Sequence, residues 1–248
     1  AVGMTNDQFN RGIYGAAVSG ATVPTFANDL QVSGSNVSHT GASADVTVDA
    51  GARINTRRPQ SVTEGGGYVL LLGREAHNRG TIVTPSGQTA IAGGDAFVIR
   101  RGVGTDGNAN SSTRGNEVEP KLLPGSTAGR VSNSGLIQAP LGDITLAARQ
   151  IEQSGVLVST TSVNARGTIH LTASGDSHAL VRVAPGALNA IVLDTSGDTA
   201  LDAQRTTLLA DAAKVAESGL YNRRDQSLVQ ITSSGDVWFD SDSLTLAT

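Results

Sequence analysis

The sequence predicts an all-β fold, a right-handed parallel β-helix (solenoid) with one long polar loop insertion and one helical insertion. Three observations predict it. Apolar runs are short, rich in β-branched residues and fenced by Gly, Pro, Asn and Ser, so they read as strands rather than helices. The phrase Asn78-x-Gly80-x-Ile82-x-x-Pro85-x-Gly87-x-Thr89-x-Ile91-Ala92 returns as Asn133-x-Gly135-x-Ile137-x-x-Pro140-x-Gly142-x-Ile144-x-Leu146-Ala147, every matched position displaced by the same 55 residues. Shorter echoes follow: Ser134-Gly135-Leu136-Ile137 recurs 20 residues on as Ser154-Gly155-Val156-Leu157, and Gly142-Asp-Ile144-x-Leu146 recurs 25 residues on as Gly167-Thr-Ile169-x-Leu171. A period of that size with strand–turn–strand content marks a stacked repeat, in which one coil cannot bury its inward face but neighbours bury a continuous column. Parallel strands joined by crossovers favour the right hand. A β-sandwich would instead need hairpin signals between paired runs, and the only similar cluster is Asp106-Gly-Asn108 in a polar stretch.

Taken in order, residues 1–30 are the least regular. Phe9, Ile13, Tyr14 and Val18 carry a faint helical spacing, but Gly12, Gly15 and Gly20 oppose a helix, leaving a capping or irregular segment. Residues 31–248 form the expected β-helix. Leu30-x-Val32, Ala44-x-Val46-x-Val48 and Ala52-x-Ile54 alternate apolar and polar, which points Val46 and Val48 inward and Asp45, Thr47 and Asp49 outward. Runs at 68–72, 89–92 and 96–99 read as buried strands of the coil. Residues 102–130 are polar, Gly-rich and aperiodic, an insertion of the long-loop kind. Residues 199–218 read as a helix inside an insertion spanning about 194–226. Thr199 with Asp202 resembles a capping box, Leu201, Leu208, Ala212 and Val215 form one stripe, and Gly219 is the stop. Asn or Ser near Gly at the corners supplies residues that tolerate left-handed backbone. Gly235-Asp-Val237-Trp-Phe239 has the shape of a last strand.

Composition narrows the function. With 30 glycines, 3% aromatic and 16% charged residues among 248, the core is built from Val, Ile, Leu, Ala and Thr. The net charge of −4, without a basic run, argues against a nucleic-acid partner. No run approaches the ~18 apolar residues of a transmembrane helix. The absence of cysteine suits a chain that crosses a narrow pore unfolded, where a disulfide would close a loop. Opening at Ala1, without an initiator Met or a leader, the chain reads as a segment of something longer.

Candidate chemistry is sparse. Asp106, Asn108, Asn110 and Glu117 set oxygen ligands at positions 1, 3, 5 and 12 of an EF-hand-like calcium loop, yet Ser111 stands where glycine is expected and no helix flanks it. A solvated loop held by local Asx turns is the simpler reading. Polysaccharide cleavage needs converging carboxylates. Asp240 and Asp242 alternate onto one face without a third partner, and Asp198 beside Asp194 serves the turn and helix cap. His39, His77, His170 and His178 lack metal-ligand spacing, and His77 reads as a structural or surface residue. No Gly-x-Ser-x-Gly elbow, phosphate loop or dinucleotide fingerprint occurs. Arg100, Arg101 and Arg114 are the candidate partner-binding cations, able to touch an anionic glycan; a solvated surface pair is the plainer alternative for Arg100–Arg101, as for Arg223–Arg224.

The strings VDAGARINT, SVTEGGGYVLLLGREAHNRGTIVTPSGQTAIAGGDAFVIRRGVGTDGN, STRGNEVEP and NSGLIQAPLGDITLAA are more specific than a generic coil. Through them, residues 44–170 resemble the filamentous-haemagglutinin-like large exoproteins of two-partner secretion (the TpsA family). The resemblance implies right-handed parallel β-helices secreted by Gram-negative bacteria through an outer-membrane β-barrel transporter, acting as adhesins, biofilm components or stalks. The Asn-Pro-Asn motif of that family's secretion domain is missing, so this segment is not expected to be the part the transporter recognises. The expectation is a non-catalytic, cofactor-free shaft at the cell surface, acting as spacer and as adhesive surface for cell or matrix glycans, with the insertions as contact sites. The alternatives are a β-helical polysaccharide lyase or glycosidase and a calcium-stabilised adhesion module.

Overall fold

The computed structural model describes residues 26–27, 30–33, 36–39, 45–60, 66–101, 116–161, 167–194, 203, 207 and 227–247. Among them the chain is all-β, apart from the helical Ala203 and Thr207. Three short strands come first: β1 (Phe26–Ala27) and the antiparallel pair β2 (Leu30–Ser33) and β3 (Asn36–His39). Then the chain begins to circulate through three sheets, one strand in each. The first rung is β4 (Val46–Val48), β5 (Arg53–Asn55) and β6 (Tyr68–Gly73); the second is β7 (Glu75–Asn78), β8 (Thr81–Val83) and β9 (Gln88–Gly93). A hairpin, β10 (Ala96–Arg101) and β11 (Asn116–Lys121), interrupts the circuit. The third rung is β12 (Arg130–Asn133), β13 (Leu136–Ala139) and β14 (Asp143–Ala148), and the fourth is β15 (Gln150–Gln153), β16 (Val156–Thr161) and β17 (Thr168–Ala173). The fifth is β18 (Leu180–Val183), β19 (Leu188–Leu193) and β20 (Leu228–Ser233), after which β21 (Asp236–Phe239) and β22 (Leu244–Ala247) enter the first two sheets again.

Every pairing within these sheets is parallel and joins strands of adjacent rungs. Sheet 1 runs β4-β7-β12-β15-β18-β21, sheet 2 runs β5-β8-β13-β16-β19-β22, and sheet 3 runs β6-β9-β14-β17-β20. Three parallel sheets visited in fixed rotation are consistent with a parallel solenoid, since the other two strands of a rung supply the crossover a parallel pair needs. The repeats read from the sequence are its registers. Asn78 faces Asn133, Ile82 faces Ile137 and Thr89 faces Ile144; Leu136 faces Val156, and Ile144 faces Ile169.

The period-2 alternation puts one row of each strand into a common core. Val131, Ile151 and Val181 of sheet 1, Ile137 and Leu157 of sheet 2, and Ile91, Leu146 and Leu171 of sheet 3 belong to one buried cluster. Each such side chain contributes about 1.5–3 kcal/mol by leaving water. Val46 is half-buried and Val48 buried, while Asp45, Thr47 and Asp49 are exposed, as the alternation predicts.

The corners are settled by two different devices. Between sheets 1 and 2, Gly80, Gly135 and Gly155 stack so closely that a Cβ on Gly135 would lie 2.1 Å from the Gly80 carbonyl oxygen. Between sheets 2 and 3, Ser86 (φ 50°) and Leu141 (φ 54°) take the left-handed backbone, each following a proline. The corner asparagines do not adopt that geometry. Asn78 and Asn133 are buried instead in an amide ladder. Asn78 Nδ2 donates to Asn133 Oδ1 (2.7 Å), Asn133 Nδ2 to Gln153 Oε1 (2.8 Å), and Gln153 Nε2 to the Gly155 carbonyl (2.9 Å). A buried amide left without partners would cost about 1–3 kcal/mol, and stacking amides on successive rungs removes that cost.

The run at 96–99 is a strand but not part of the coil. It lies in β10, which pairs antiparallel with β1 and β11 in a separate sheet. Residues 102–130 are accordingly not one loop, since 116–121 form β11 and 130 opens β12. Phe97, Ile99 and Val118 pack on the outward Leu72, Ala90, Ala92 and Ala147 of sheet 3, making a second small core. Pro120 is tolerated because β11 is the edge of that sheet. In the expected helical insertion, the Thr207 hydroxyl donates to the Ala203 carbonyl one turn earlier (3.0 Å). The rest of 195–226, like the faint helical spacing in the first 25 residues, lies outside the described residues. Among the described residues, no helix is long and apolar enough to cross a membrane.

Candidate functional site, the outward face of sheet 1

Sheets 2 and 3 differ from sheet 1 on their outer sides. Sheet 2 turns out Leu136, Val156 and Leu188, and part of sheet 3 is covered by the β10–β11 hairpin. Sheet 1 alternates between buried and solvent-facing positions in β7, β12, β15 and β18, and its outward residues are polar apart from Leu180 and, on β21, Trp238. In register, one outward column reads Thr47, His77, Ser132, Glu152, Arg182, Trp238, and its neighbour contains Glu75 beside Arg130.

Two hydrogen-bonded groups occupy this face. In the first, His77 Nδ1 lies 2.8 Å from Ser132 Oγ and His77 Nε2 lies 3.4 Å from Glu75 Oε2. In the second, charges alternate along the stack. Arg130 Nη2 donates to Glu152 Oε2 (3.2 Å), Arg182 Nη1 lies 3.8 Å from Glu152 Oε1, and Arg182 Nε and Nη2 both reach Asp240 Oδ2 (2.8 and 2.7 Å). These pairs are partly solvated, so each is worth at most about 1 kcal/mol; their effect is to hold side chains in place rather than to hold the fold. At the neighbouring corner, Asp176 accepts the His178 N–H (2.8 Å) and the Arg149 Nε–H (3.0 Å). The His178 backbone bond, aided by the Arg149 guanidinium and opposed by residual desolvation, holds the Asp176 carboxyl below its ordinary range.

The serine, imidazole and carboxylate are ordered as a nucleophile, base and orienter are ordered. Acyl transfer also needs donors aimed at the developing oxyanion. Ser132 sits on a strand paired on both sides, with β7 and β15, so the backbone donors around it serve the parallel ladders. The arrangement binds two rungs together and holds polar groups at the surface.

The residues singled out from sequence fall elsewhere. Asp106, Asn108, Asn110 and Arg114 lie outside the described residues; of the proposed calcium set, Glu117 alone has a place, on β11 opposite Arg100, with Arg101 opposite Asn116. Asp240 and Asp242 do not form a pair of acids. Asp240 is engaged by Arg182, and Asp242 occupies an exposed turn at φ 59°. The Asp194 N–H donates to the Thr161 carbonyl, and Asp198 lies outside the described residues. Among the described residues no group of three or more His, Asp or Glu side chains is set to hold a metal.

Sequence reasoning missed the His77–Ser132 contact, although its signal was present: the two residues are 55 apart, the displacement of the main repeat. It also passed over Trp238, which the alternation between Val237 and Phe239 turns outward. No protein-family model, curated protein or solved structure matches the chain.

Proposed function

We propose that the chain is a shaft segment of a secreted bacterial surface exoprotein, a right-handed parallel β-helix serving as a rigid spacer and as an adhesive surface for cell or matrix glycans. The observation that carries this reading is the set of three parallel sheets, two of them six-stranded, sharing one core. At about 4.8 Å per added strand, such a stack gains length in proportion to its repeats and needs no second layer to do so. The right hand follows from the crossover preference of parallel strands. A chain without cysteine is suited to passing unfolded through an outer-membrane β-barrel transporter, which is the export partner in this reading. Sheet 1 supports the adhesive half, because its ion-paired and hydroxyl side chains are fixed on a solvent-facing surface. The shaft performs no reaction and requires no cofactor.

The test is binding of the tagged full chain to a broad panel of immobilised glycans and to cultured cells, beside a heat-denatured control. Saturable binding confined to the folded chain is expected. A folded chain that binds neither cells nor any glycan removes the adhesive half and leaves the spacer.

A further inference from the structure

We infer that Trp238, together with the Arg182–Asp240 pair beside it, forms a stacking subsite for a neutral pyranose of a glycan; this rests on the adhesive reading above. Trp238 is the only tryptophan in a chain that is 3% aromatic, and it is 54% exposed on the outward side of β21. Its neighbours Val237 and Phe239 continue the inward columns of Val181 and Val183, so alternation places the indole on the outward side of sheet 1, beside Arg182. A large ring kept out of the core, on a face whose other outward residues are polar apart from Leu180, offers an apolar plate with polar groups at its rim. That combination fits a pyranose, whose C–H face stacks on the ring while its equatorial hydroxyls reach fixed acceptors.

Asp240 and Glu152 supply those acceptors. Trp238 is in register with Arg182, and Arg182 directs two donors to one oxygen, Oδ2, of Asp240, leaving Oδ1 out of both bonds. Glu152 lies on the other side of Arg182 at 3.8 Å. Paired carboxylates are held without searching rotamers, which lowers the ordering cost of binding. Charge decides the class of sugar. The Arg182 guanidinium is already engaged by Asp240 and lies beside Glu152, and Asp236 and Asp242 add two further carboxylates on the last rung, so the site is net negative and favours a neutral sugar over a uronate or sulfate.

Because the chain has a single tryptophan, its fluorescence reports on this site alone. The full chain is titrated with cellohexaose and mannohexaose as neutral probes and with polygalacturonate as the anionic one, while calorimetry measures affinity. A saturable emission shift with a neutral probe is expected, with at least a tenfold affinity loss in Trp238→Ala, a smaller loss in Trp238→Phe and a measurable loss in Asp240→Asn. Neutral-glycan binding that leaves the emission unchanged, or that Trp238→Ala retains in full, overturns the subsite while the adhesive reading stands on another face. A response to polygalacturonate only, or to deglycosylated cell-surface protein only, also overturns it. Failure of the unsubstituted chain to bind any glycan or cell overturns the adhesive reading itself. Trp238 lies outside the core, so unchanged circular-dichroism melting separates each result from misfolding.

Discussion

Gly135 has a glycine on the rung to either side, Gly80 and Gly155, and the three stack at close approach. A Cβ there would lie 2.1 Å from the Gly80 carbonyl oxygen, and one on Gly155 would lie 2.2 Å from the Gly135 carbonyl oxygen. Both contacts are with backbone, so relief requires two rungs to move apart, and the Leu136 N–H bond to the Gly80 carbonyl (2.9 Å) would be strained with them. Gly135→Ala is therefore expected to destabilise the chain by about 3 kcal/mol or more, at or above the usual range for overpacking. Gly186→Ala supplies the contrast: its Cβ meets nothing within 4 Å, and only its φ of 73° opposes the change. A cost of about 1 kcal/mol is expected there. Denaturant melts of the two variants check the order, and equal losses would show that the corner stack relaxes freely. At this scale the sequence was half legible. The recurrence of Gly80, Gly135 and Gly155 marked the corner, but the reason was close approach rather than a special φ. The asparagines two residues earlier were read for left-handed backbone, when their use is the buried amide ladder. A ladder cannot be recognised until it is known which residues lie on successive rungs.

The β10–β11 hairpin is the element that sequence reasoning placed wrongly. Its first strand, 96–101, has the same length and β-branched content as a rung strand, so periodicity could not separate it from the coil. The separating signal lay in the spacing. Two rungs are 20 residues apart where Asn133 meets Gln153, but 55 apart where Asn78 meets Asn133, so most of the excess between β7 and β12 is inserted chain. The hairpin packs on sheet 3 through one apolar contact set, Phe97, Ile99 and Val118 against Leu72, Ala90, Ala92 and Ala147. Phe97 is fully buried and central to it. Phe97→Ala should remove about 3–5 kcal/mol of packing. The loss should be local, since the rung ladders do not pass through β10. Amide exchange in β10 and β11 is then expected to accelerate while β14 and β17 stay protected. Equal acceleration in all four strands would mean that hairpin and stack unfold as one unit.

Across the whole molecule, stacked rungs make stability a property of position, because a rung is held only by itself and its immediate neighbours. Column by column, the protection changes toward β21. Val131, Ile151 and Val181 are buried, but the next residue in the same column, Val237, is 36% exposed, and Phe239, which follows Val183, is 55% exposed. The edges of β20, β21 and β22 are also the last in their sheets, so their outer backbone groups meet no further strand among the described residues. At the other side the first rung is better covered, since Val48 and Val69 are both buried. Native-state hydrogen exchange should therefore form a one-sided gradient, slowest in β12, β14 and β15 and fastest in β21 and β22, with rates differing by at least about a hundredfold. Such a difference corresponds to about 2.7 kcal/mol between local openings. The register of the repeats was legible in the sequence and predicts stacking, but the asymmetry was not, because Val237 and Phe239 look like any other inward pair until their exposure is seen. Uniform exchange from β4 to β22 would contradict nearest-neighbour stacking and require a single cooperative core; a gradient falling toward β21 would make that rung the first to open.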